Sequence, residues 1–229
     1  MTSVVNRMKS TPRVQNSTFY GFARTLVYLV NRYYFHTKVS YEAPLPSKPF
    51  ILAPTHRSYV DTPLVGSVLK EPVRYMAKAE LWENPWLGRL VELLGGFPVD
   101  RNSTDRTSLN TALAILKSGD ALVVFPEGER RVGDRVEHLH EGVAYLALKS
   151  KVPVVPVAFY GSGKVMPPGA KLPRPAVVRA IVGRQIDSVK YLSRTGSTSK
   201  TVSRGAIVEL TAELERELQR LYDQAKAMK

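Results

Sequence analysis

The 229-residue sequence contains no cysteine, so it has neither disulfide bonds nor thiolate ligands for a metal. It also lacks an uninterrupted apolar run of roughly 20 residues, the length that a membrane-spanning helix needs. Residues 1–13 are polar, and no secretory signal peptide is visible there. We expect a protein of a reducing compartment, long enough for one domain with a substantial core or for two small domains.

Acidic residues are scarce relative to basic ones. The chain has 20 Asp and Glu against 33 Lys and Arg, a net charge of +13. Such a balance favours acidic partners: nucleic acid, an anionic lipid surface, a phosphorylated substrate or an acidic carrier protein. A nucleic-acid-binding module would interleave basic side chains with stacking aromatic rings on one element. Here the cations are scattered and the aromatic residues cluster near the amino terminus, so we expect no nucleic-acid partner.

Residues 17–36 are rich in apolar and aromatic side chains, which Arg24 and Arg32 interrupt. Tyrosine rings and arginine cations are typical of a helix that lies in a membrane interface. The alternative is an amphipathic helix packed on the domain's own surface. We predict a basic arm and an amphipathic membrane-associating helix over residues 1–36, followed by a folded domain over residues 37–229.

Strand and helix signals alternate along that domain, and no internal repeat is present. Strands are predicted at 39–42, 50–53, 97–101, 121–125, 152–159 and 177–182, the fifth of these broken by Pro153 and Pro156, and residues 73–81 are predicted to be a strand leading into a helix. Helices are predicted near 61–69, 107–117, 141–150 and 203–228, and residues 82–94 are predicted to be an aromatic-rich helical or loop face. The alternation predicts a single α/β domain with helices packed on a sheet.

The most specific chemical signal lies between Thr55 and Asp61. The apolar run 50–53 is ended by a proline, as expected of a buried strand, and His56 follows. Asp61, with a proline two positions later, is predicted to be the N-cap of the next helix. The loop allows the two side chains to turn toward each other.

A histidine oriented by a carboxylate is a good proton acceptor near neutral pH. The pair is two thirds of a nucleophilic triad, and Ser58 is the nearest hydroxyl. No Gly-x-Ser-x-Gly elbow surrounds Ser58, so we expect the hydroxyl to belong to a bound substrate. The alternative is that Asp61 only caps its helix and His56 is an ordinary loop residue.

Two further polar clusters end predicted strands: Asp100-Arg101, and residues 127–130. Ligands bind at strand ends in open α/β sheets, and the guanidinium group of arginine suits phosphate because it donates two parallel hydrogen bonds. Gly128 would let a backbone amide approach an oxyanion. The alternatives are a turn ion pair for Asp100-Arg101 and a surface pair for Glu127 and Arg130.

Four sequence blocks occur in a fixed order. They are His-x4-Asp, Gly-Gly-Phe-Pro-Val-Asp-Arg, Phe-Pro-Glu-Gly-x-Arg and Val-Pro-Val-Val-Pro-Val. Their order resembles that of the glycerolipid acyltransferases, specifically the branch of 1-acylglycerol-3-phosphate acyltransferases, and the resemblance covers about residues 38–190. The resemblance implies a mixed sheet flanked by helices, behind an amino-terminal membrane-associating part.

The resemblance also implies roles for individual residues. His56 would be the base and Asp61 its partner. Arg101 and Arg130 would bind the phosphate of the acceptor, with Lys78 assisting. Glu127, Gly128 and Gly96 would shape the acceptor site. No metal or cofactor is implied beyond the acyl donor, which is acyl-CoA or acyl carrier protein.

The implied reaction is transfer of a fatty acyl group to the free hydroxyl of a lysophospholipid, giving phosphatidic acid from 1-acylglycerol-3-phosphate. The enzyme would act in phospholipid biosynthesis as a peripheral or monotopic protein on the cytoplasmic face of the cell membrane. Thr55 stands where the family commonly has asparagine, and Glu129, Arg131 and His140 also depart from its pattern. These departures leave open a larger lysophospholipid or glycolipid acceptor. A basic lipid-binding or nucleic-acid-binding protein without catalysis is the alternative from another class.

Overall fold

A computed structural model of the chain describes residues 17–69, 71–99, 106–167, 169–196 and 201–228. Its strands are β1 (Lys38–Tyr41), β2 (Ile51–Pro54), β3 (Arg74–Lys78), β4 (Gly96–Val99), β5 (Leu122–Val123), β6 (Val154–Tyr160) and β7 (Arg179–Val182). Its helices are α1 (Ser17–Leu29), α2 (Asp61–Val68), α3 (Pro85–Leu93), α4 (Arg106–Lys117), α5 (Gly142–Ser150), α6 (Ser162–Val165), α7 (Val189–Arg194) and α8 (Arg204–Ala227). A π-helical turn, Val30–Tyr34, extends α1, and a 3₁₀ turn, Ala79–Trp82, follows β3.

The described strands form one seven-stranded sheet in the order β1-β7-β6-β2-β5-β3-β4. The strands pair in parallel except β6 and β7, which are antiparallel. Parallel neighbours need crossover connections, and helices α2 to α5 occupy them. The predicted mixed sheet flanked by helices is confirmed.

Each face of the sheet carries its own apolar core. On one face, α4, α5 and α8 pack over residues such as Phe97 and Ile51. On the other face, α2 covers Leu52 and Val123. Strands buried on both faces read as continuous apolar runs, which is why β2 and β6 were visible in the sequence.

Helix α1 packs on the outer side of α2. The Asn31 side-chain amide, buried beneath the π-helical turn, donates to the Pro63 carbonyl over 3.2 Å and to Ser67 Oγ over 2.6 Å. Arg24 Nε donates to the Leu69 carbonyl over 3.1 Å. The predicted helix is therefore present and joined to the domain. No helix within the described ranges is long and apolar enough to cross a membrane.

Two strands differ from their predictions. β5 is short because the chain turns at Pro126, where the Gly128 N–H donates to the Phe125 carbonyl over 3.1 Å. β6 begins after Pro153 as expected, but it continues through Pro156, so the predicted break there is wrong. Pro156 lies where the antiparallel ladder with β7 ends. Its carbonyl accepts the Gly183 N–H over 2.9 Å, and the ladder loses only the hydrogen bond that residue 156 would donate, because proline has no backbone N–H.

Strands β2, β5, β3 and β4 are mutually parallel, so their carboxyl ends meet at one edge of the sheet. His56 follows β2 at this edge, and Glu127 follows β5. Lys78 is the last residue of β3 and Val99 the last of β4. The sheet thus brings three separate sequence motifs to one edge, which we call the catalytic edge.

Candidate active site

His56 and Asp61 meet in the loop between β2 and α2. The imidazole Nδ1 lies 3.1 Å from Asp61 Oδ2, and the aspartate side chain is fully buried. The same oxygen accepts the backbone N–H groups of Arg57 (2.5 Å) and Ser58 (2.6 Å). Val60 is the N-cap of α2 and Asp61 is the first helical residue, so the predicted N-cap role is wrong. The carboxylate turns back onto the loop and holds it around His56.

The imidazole itself is held on two sides. Its ring stacks on Phe125 with centroids 4.2 Å apart and planes inclined by 29°, and its side chain is 11% exposed. Because Asp61 accepts a hydrogen bond, it favours the tautomer with the proton on Nδ1. Nε2 is then the nitrogen available to accept a proton from a substrate.

Glu127, at the end of β5, binds the His56 loop from the other side. Its Oε2 accepts the His56 backbone N–H over 2.6 Å, and its Oε1 pairs with Arg57 Nη1. Arg57 Nη2 also donates to the Arg135 carbonyl over 2.9 Å. Both side chains of the pair are buried. Glu127 is therefore not the surface partner of Arg130, and its visible contacts are to the catalytic loop.

Burial raises the pKa of the Glu127 carboxyl, and the hydrogen bond and charge of Arg57 oppose that rise. The removal of an ionised carboxylate from water outweighs the stabilisation by its partner. A buried pair of this kind fixes geometry more than it adds stability.

Sequence reasoning missed Arg57, because an arginine beside the histidine carries no periodic or spacing signal.

Residues 128–131 make further contacts that hold the loop around His56. The Arg131 N–H donates to the His56 carbonyl over 2.9 Å. Gly128 has φ of +68°, and a Cβ there would lie 2.6 Å from the ring of His140. Glycine is required on both counts. The Gly128 N–H donates to the Phe125 carbonyl over 3.1 Å, so this amide is already engaged within the turn.

Arg130 occupies the exposed side of the site. Its guanidinium carbon lies 3.5 Å from the centroid of the Tyr59 ring, and Nη2 donates to the Tyr59 hydroxyl over 2.8 Å. Tyr59 is 61% exposed. Tyr59 lies three residues after His56 in sequence, and both members of the pair face solvent, where a charged headgroup can reach them.

A cavity of about 500 Å³ lies beside this pair, within the loop of residues 129–137. Its lining carries both signs of charge. The cationic lining residues are Arg130, Arg131 and Arg135, and the anionic ones are Glu129, Asp134 and Glu137. Glu129 pairs with Arg131 over 3.2 Å, and Asp134 with Lys226 over 2.6 Å. The loop can thus present cations and carboxylates together next to the catalytic edge.

The remaining predicted site residues lie farther from His56. The registers of β2, β5 and β3 place Lys78 level with Thr55 and two strands away, about 10 Å across the sheet. Lys78 is 55% exposed and pairs with Glu80 over 2.8 Å. Arg101, and Asp100 before it, lie outside the described residues; the strand that precedes them ends at Val99, level with Lys78.

Gly96 has a packing role. It pairs with Tyr75 four residues before the level of His56, and a Cβ there would meet Val91 Cγ1 at 2.3 Å. Helix α3 occupies the space over Gly96, and its part in shaping the acceptor site stays a prediction.

Two hydroxyl residues of the loop are structural. Thr55 Oγ1 accepts the Phe159 N–H over 2.9 Å and ties β2 to β6. This bond explains a threonine at the position before the histidine. Ser58 is fully buried, and its hydroxyl donates to the Met166 carbonyl over 3.3 Å. Ser58 is therefore not placed as a nucleophile.

Known proteins match this chain in sequence and in fold. A 1-acyl-sn-glycerol-3-phosphate acyltransferase of Bacillus subtilis is 30% identical over 173 residues, which cover 75% of this chain and 84% of that protein. A lyso-ornithine lipid O-acyltransferase of Pseudomonas aeruginosa is 34% identical over 149 residues, covering 65% of this chain and 55% of that protein. The crystal structure of the 1-acyl-sn-glycerophosphate acyltransferase of Thermotoga maritima superimposes with a TM-score of 0.70 at 23% identity, covering 100% of this chain and 89% of that one.

The structural likeness confirms the fold, and the sequence matches confirm the resemblance that the four blocks predicted. The model of the Acyltransferase family matches residues 36–160, which include β1 to β6, the His56–Asp61 pair and Glu127. The chain therefore belongs to the Acyltransferase family of enzymes.

Proposed function

We propose that the protein transfers a fatty acyl group from a thioester donor to the free hydroxyl of 1-acylglycerol-3-phosphate, forming phosphatidic acid. The observation that carries the proposal is the hydrogen bond between His56 Nδ1 and the buried Asp61 carboxylate at the catalytic edge. The name of the Bacillus subtilis relative supports this choice of acceptor.

His56 acts as the general base. Nε2 removes the proton of the acceptor hydroxyl as its oxygen attacks the thioester carbonyl, and Asp61 stabilises the imidazolium that forms. The tetrahedral intermediate collapses, the carbon–sulfur bond breaks, and the imidazolium returns its proton to the thiolate. The chain supplies the base and its orientation, and no metal or covalent enzyme intermediate takes part.

The acceptor's phosphate is bound on the exposed side of the site. Arg130 is the leading ligand, because its guanidinium is solvent-facing and is oriented by Tyr59. Arg101 is a second ligand by resemblance, and Lys78 adds positive charge from the end of β3. Substitution of Arg101 by alanine should mainly raise the KM for the acceptor.

The donor is acyl-CoA or acyl carrier protein. Both are acidic, and the net charge of +13 favours the approach of either. We propose a peripheral association with the cytoplasmic face of the membrane, where both substrates meet. Helix α1 supports the membrane association, because its exposed side carries Phe22, Leu26 and Leu29.

The test is thiol release from palmitoyl-CoA by purified protein, with wild type and His56→Ala compared. Lysophosphatidic acid is the first acceptor, and lysophospholipids with headgroups form the second arm. Release with lysophosphatidic acid that is lost in the variant supports the proposal. Absence of release with both the CoA and the carrier-protein donors would favour a non-catalytic lipid-binding protein.

A larger acceptor is the second candidate. The mixed charge of the cavity in residues 129–137 favours it, since Glu129 and Asp134 suit a headgroup with an amine. The name of the Pseudomonas aeruginosa relative, a lyso-ornithine lipid O-acyltransferase, supports the same idea. His140, which contacts Gly128, would then help to select the headgroup. Release only in the second arm of the assay would establish this candidate.

A further inference from the structure

The first two turns of α3 expose large apolar side chains. Trp86 is 87% exposed, Leu87 40% and Leu90 44%. Single exposed apolar residues are common on protein surfaces, but a contiguous group on one element marks a contact site. Arg89, between them in sequence, is also exposed, so this surface is amphipathic.

This exposure belongs to a well-fixed helix. The Asn84 side chain caps α3 by accepting the N–H groups of Trp86 (3.0 Å) and Leu87 (3.2 Å). Gly88 on the inner side packs against the Trp82 ring, which a Cβ would approach to 2.8 Å. The helix therefore holds the Trp86 indole outward in a defined position.

Helix α3 lies on the same face of the sheet as α1. Val91 of α3 covers Gly96, whose partner in the neighbouring strand is Tyr75. The turn that extends α1 is bonded to α2, and α2 shares one apolar cluster with Val73 and Tyr75. The two helices therefore lie on the same face of the sheet.

Helix α1 and the turn that extends it present a matching exposed stripe. Its members are Phe22, Leu26, Leu29 and Tyr33, at spacings of four, three and four residues. Residues 17–41 contain Arg24, Arg32 and Lys38 but no Asp or Glu. Apolar side chains beside cations, without carboxylates, complement an anionic lipid surface.

The direction of α3 sets its relation to the active site. The helix starts after β3 has ended at Lys78 and finishes just before β4 begins at Gly96. Trp86, in its first turn, therefore lies toward the catalytic edge, where His56 follows β2. An indole ring favours the headgroup level of a bilayer, because one side of it is apolar and its N–H can stay hydrated.

We propose that α3 is a second membrane-docking element, which inserts Trp86, Leu87 and Leu90 into an anionic lipid bilayer beside α1. The two helices together turn the catalytic edge toward the lipid that carries the acceptor. This inference rests on the proposed function only in its choice of a bilayer as the partner. Its test uses no acyl transfer, so the two proposals fail separately.

The chain has two tryptophans, and the fluorescence of Trp86 can report the contact of α3 with lipid. Trp82 is 7% exposed and donates from Nε1 to Glu92 over 3.0 Å, whereas Trp86 is free of the core. Emission is recorded for wild type and Trp86→Phe with vesicles of phosphatidylcholine and phosphatidylglycerol, plain or brominated in the acyl chains. We expect a blue shift on plain vesicles and quenching on brominated ones in wild type, with both lost in Trp86→Phe.

The double variant Phe22→Ser/Leu26→Ser should bind vesicles more weakly, because α1 contributes less. At saturating lipid, the emission of Trp86 in this variant should still be quenched by the brominated vesicles. Vesicle binding by wild type without any change in Trp86 emission would overturn the proposal. A blue shift that grows with protein concentration in the absence of lipid would also overturn it, since a second copy of the chain would then cover α3.

The contribution of the leucines is measured by vesicle co-sedimentation. Leu87→Ser/Leu90→Ser should weaken partitioning about three- to tenfold, from the transfer free energy of partly exposed leucine side chains. Val208→Ser is the matched control, because Val208 is a 47% exposed apolar residue on α8, which packs on the opposite face of the sheet. Equal partitioning of the leucine variant and this control would contradict the docking role of α3.

Discussion

The surroundings of His56 divide into a closed side and an open side. On the closed side, Asp61, Glu127 and Arg57 are buried and bonded to one another or to the catalytic loop. On the open side, Arg130 and Lys78 are exposed, and each has one partner beside it. The groups that hold His56 are preorganised, whereas those predicted to bind the acceptor remain accessible to solvent.

This difference separates two kinds of effect on catalysis. Interactions that align the base act in the transition state, so their loss lowers kcat. Contacts to the acceptor's phosphate are made in the bound substrate as well as in the transition state, so their loss raises KM. Substitutions on the two sides should therefore give different kinetic signatures.

The largest effect is expected for His56→Ala on the closed side. Removal of the general base should lower kcat by about 10²–10⁴-fold. Binding of lysophosphatidic acid and thermal unfolding should remain close to those of wild type. A variant that keeps near-normal turnover would exclude His56 as the base.

Glu127→Gln should lower kcat by about 10–10²-fold with little change in the acceptor KM. A glutamine has one acceptor oxygen, so it cannot serve both the His56 N–H and Arg57, and the catalytic loop shifts. Glu209→Gln is the matched control, because Glu209 is an exposed carboxylate on α8 outside the proposed acceptor site. If Glu127→Gln instead raised KM at constant kcat, Glu127 would bind the acceptor rather than position the base.

On the open side, Arg130→Ala should raise the acceptor KM about tenfold and leave kcat nearly unchanged, since a hydrogen bond to a charged group contributes about 1.5–3 kcal/mol. Arg130→Lys should recover part of the loss, because the charge remains but the fork and the stacking on Tyr59 do not. Arg216→Ala, an exposed arginine on α8, controls for the change in net charge. A fall in kcat at unchanged KM would indicate that Arg130 positions His56 rather than binding the acceptor's phosphate.

Lys78→Ala should have a smaller effect, a rise in the acceptor KM of about two- to threefold. Lys78 is 55% exposed and already pairs with Glu80, so solvent and salt screen its charge. The difference from wild type should shrink further in 0.5 M salt, roughly, where surface electrostatics are weak. A salt-independent loss would indicate a direct and desolvated contact instead.

The smallest expected effect concerns pH and stability. Because burial raises the pKa of Glu127, its protonation stabilises the fold below the unfolded pKa, and this contribution is lost as pH rises through the folded pKa. Glu127→Gln has no such dependence. Urea unfolding across that interval should therefore show wild type losing stability relative to Glu127→Gln as pH rises. The opposite slope would mean that Arg57 stabilises the carboxylate more than burial destabilises it.

Much of the fold was predictable because its signals are local. The continuous apolar runs of β2 and β6 and the leucine stripe of α8 follow directly from the periodicity of the sequence. The short helices α6 and α7 were not predicted, since four to six residues carry too little periodicity. The break expected at Pro156 was wrong, because a proline is tolerated where a ladder ends.

The sequence by itself determined the order of strands and helices, the family and the His56–Asp61 pair, whose members are five residues apart in one loop. Only the tertiary structure decided the closed side of the site: Glu127 reaches His56 across 71 residues, and Arg57 joins it. It also decided that α1 and α3 share one face of the sheet. Such contacts depend on strand order and register, and a single sequence carries no local signal for pairing between distant segments.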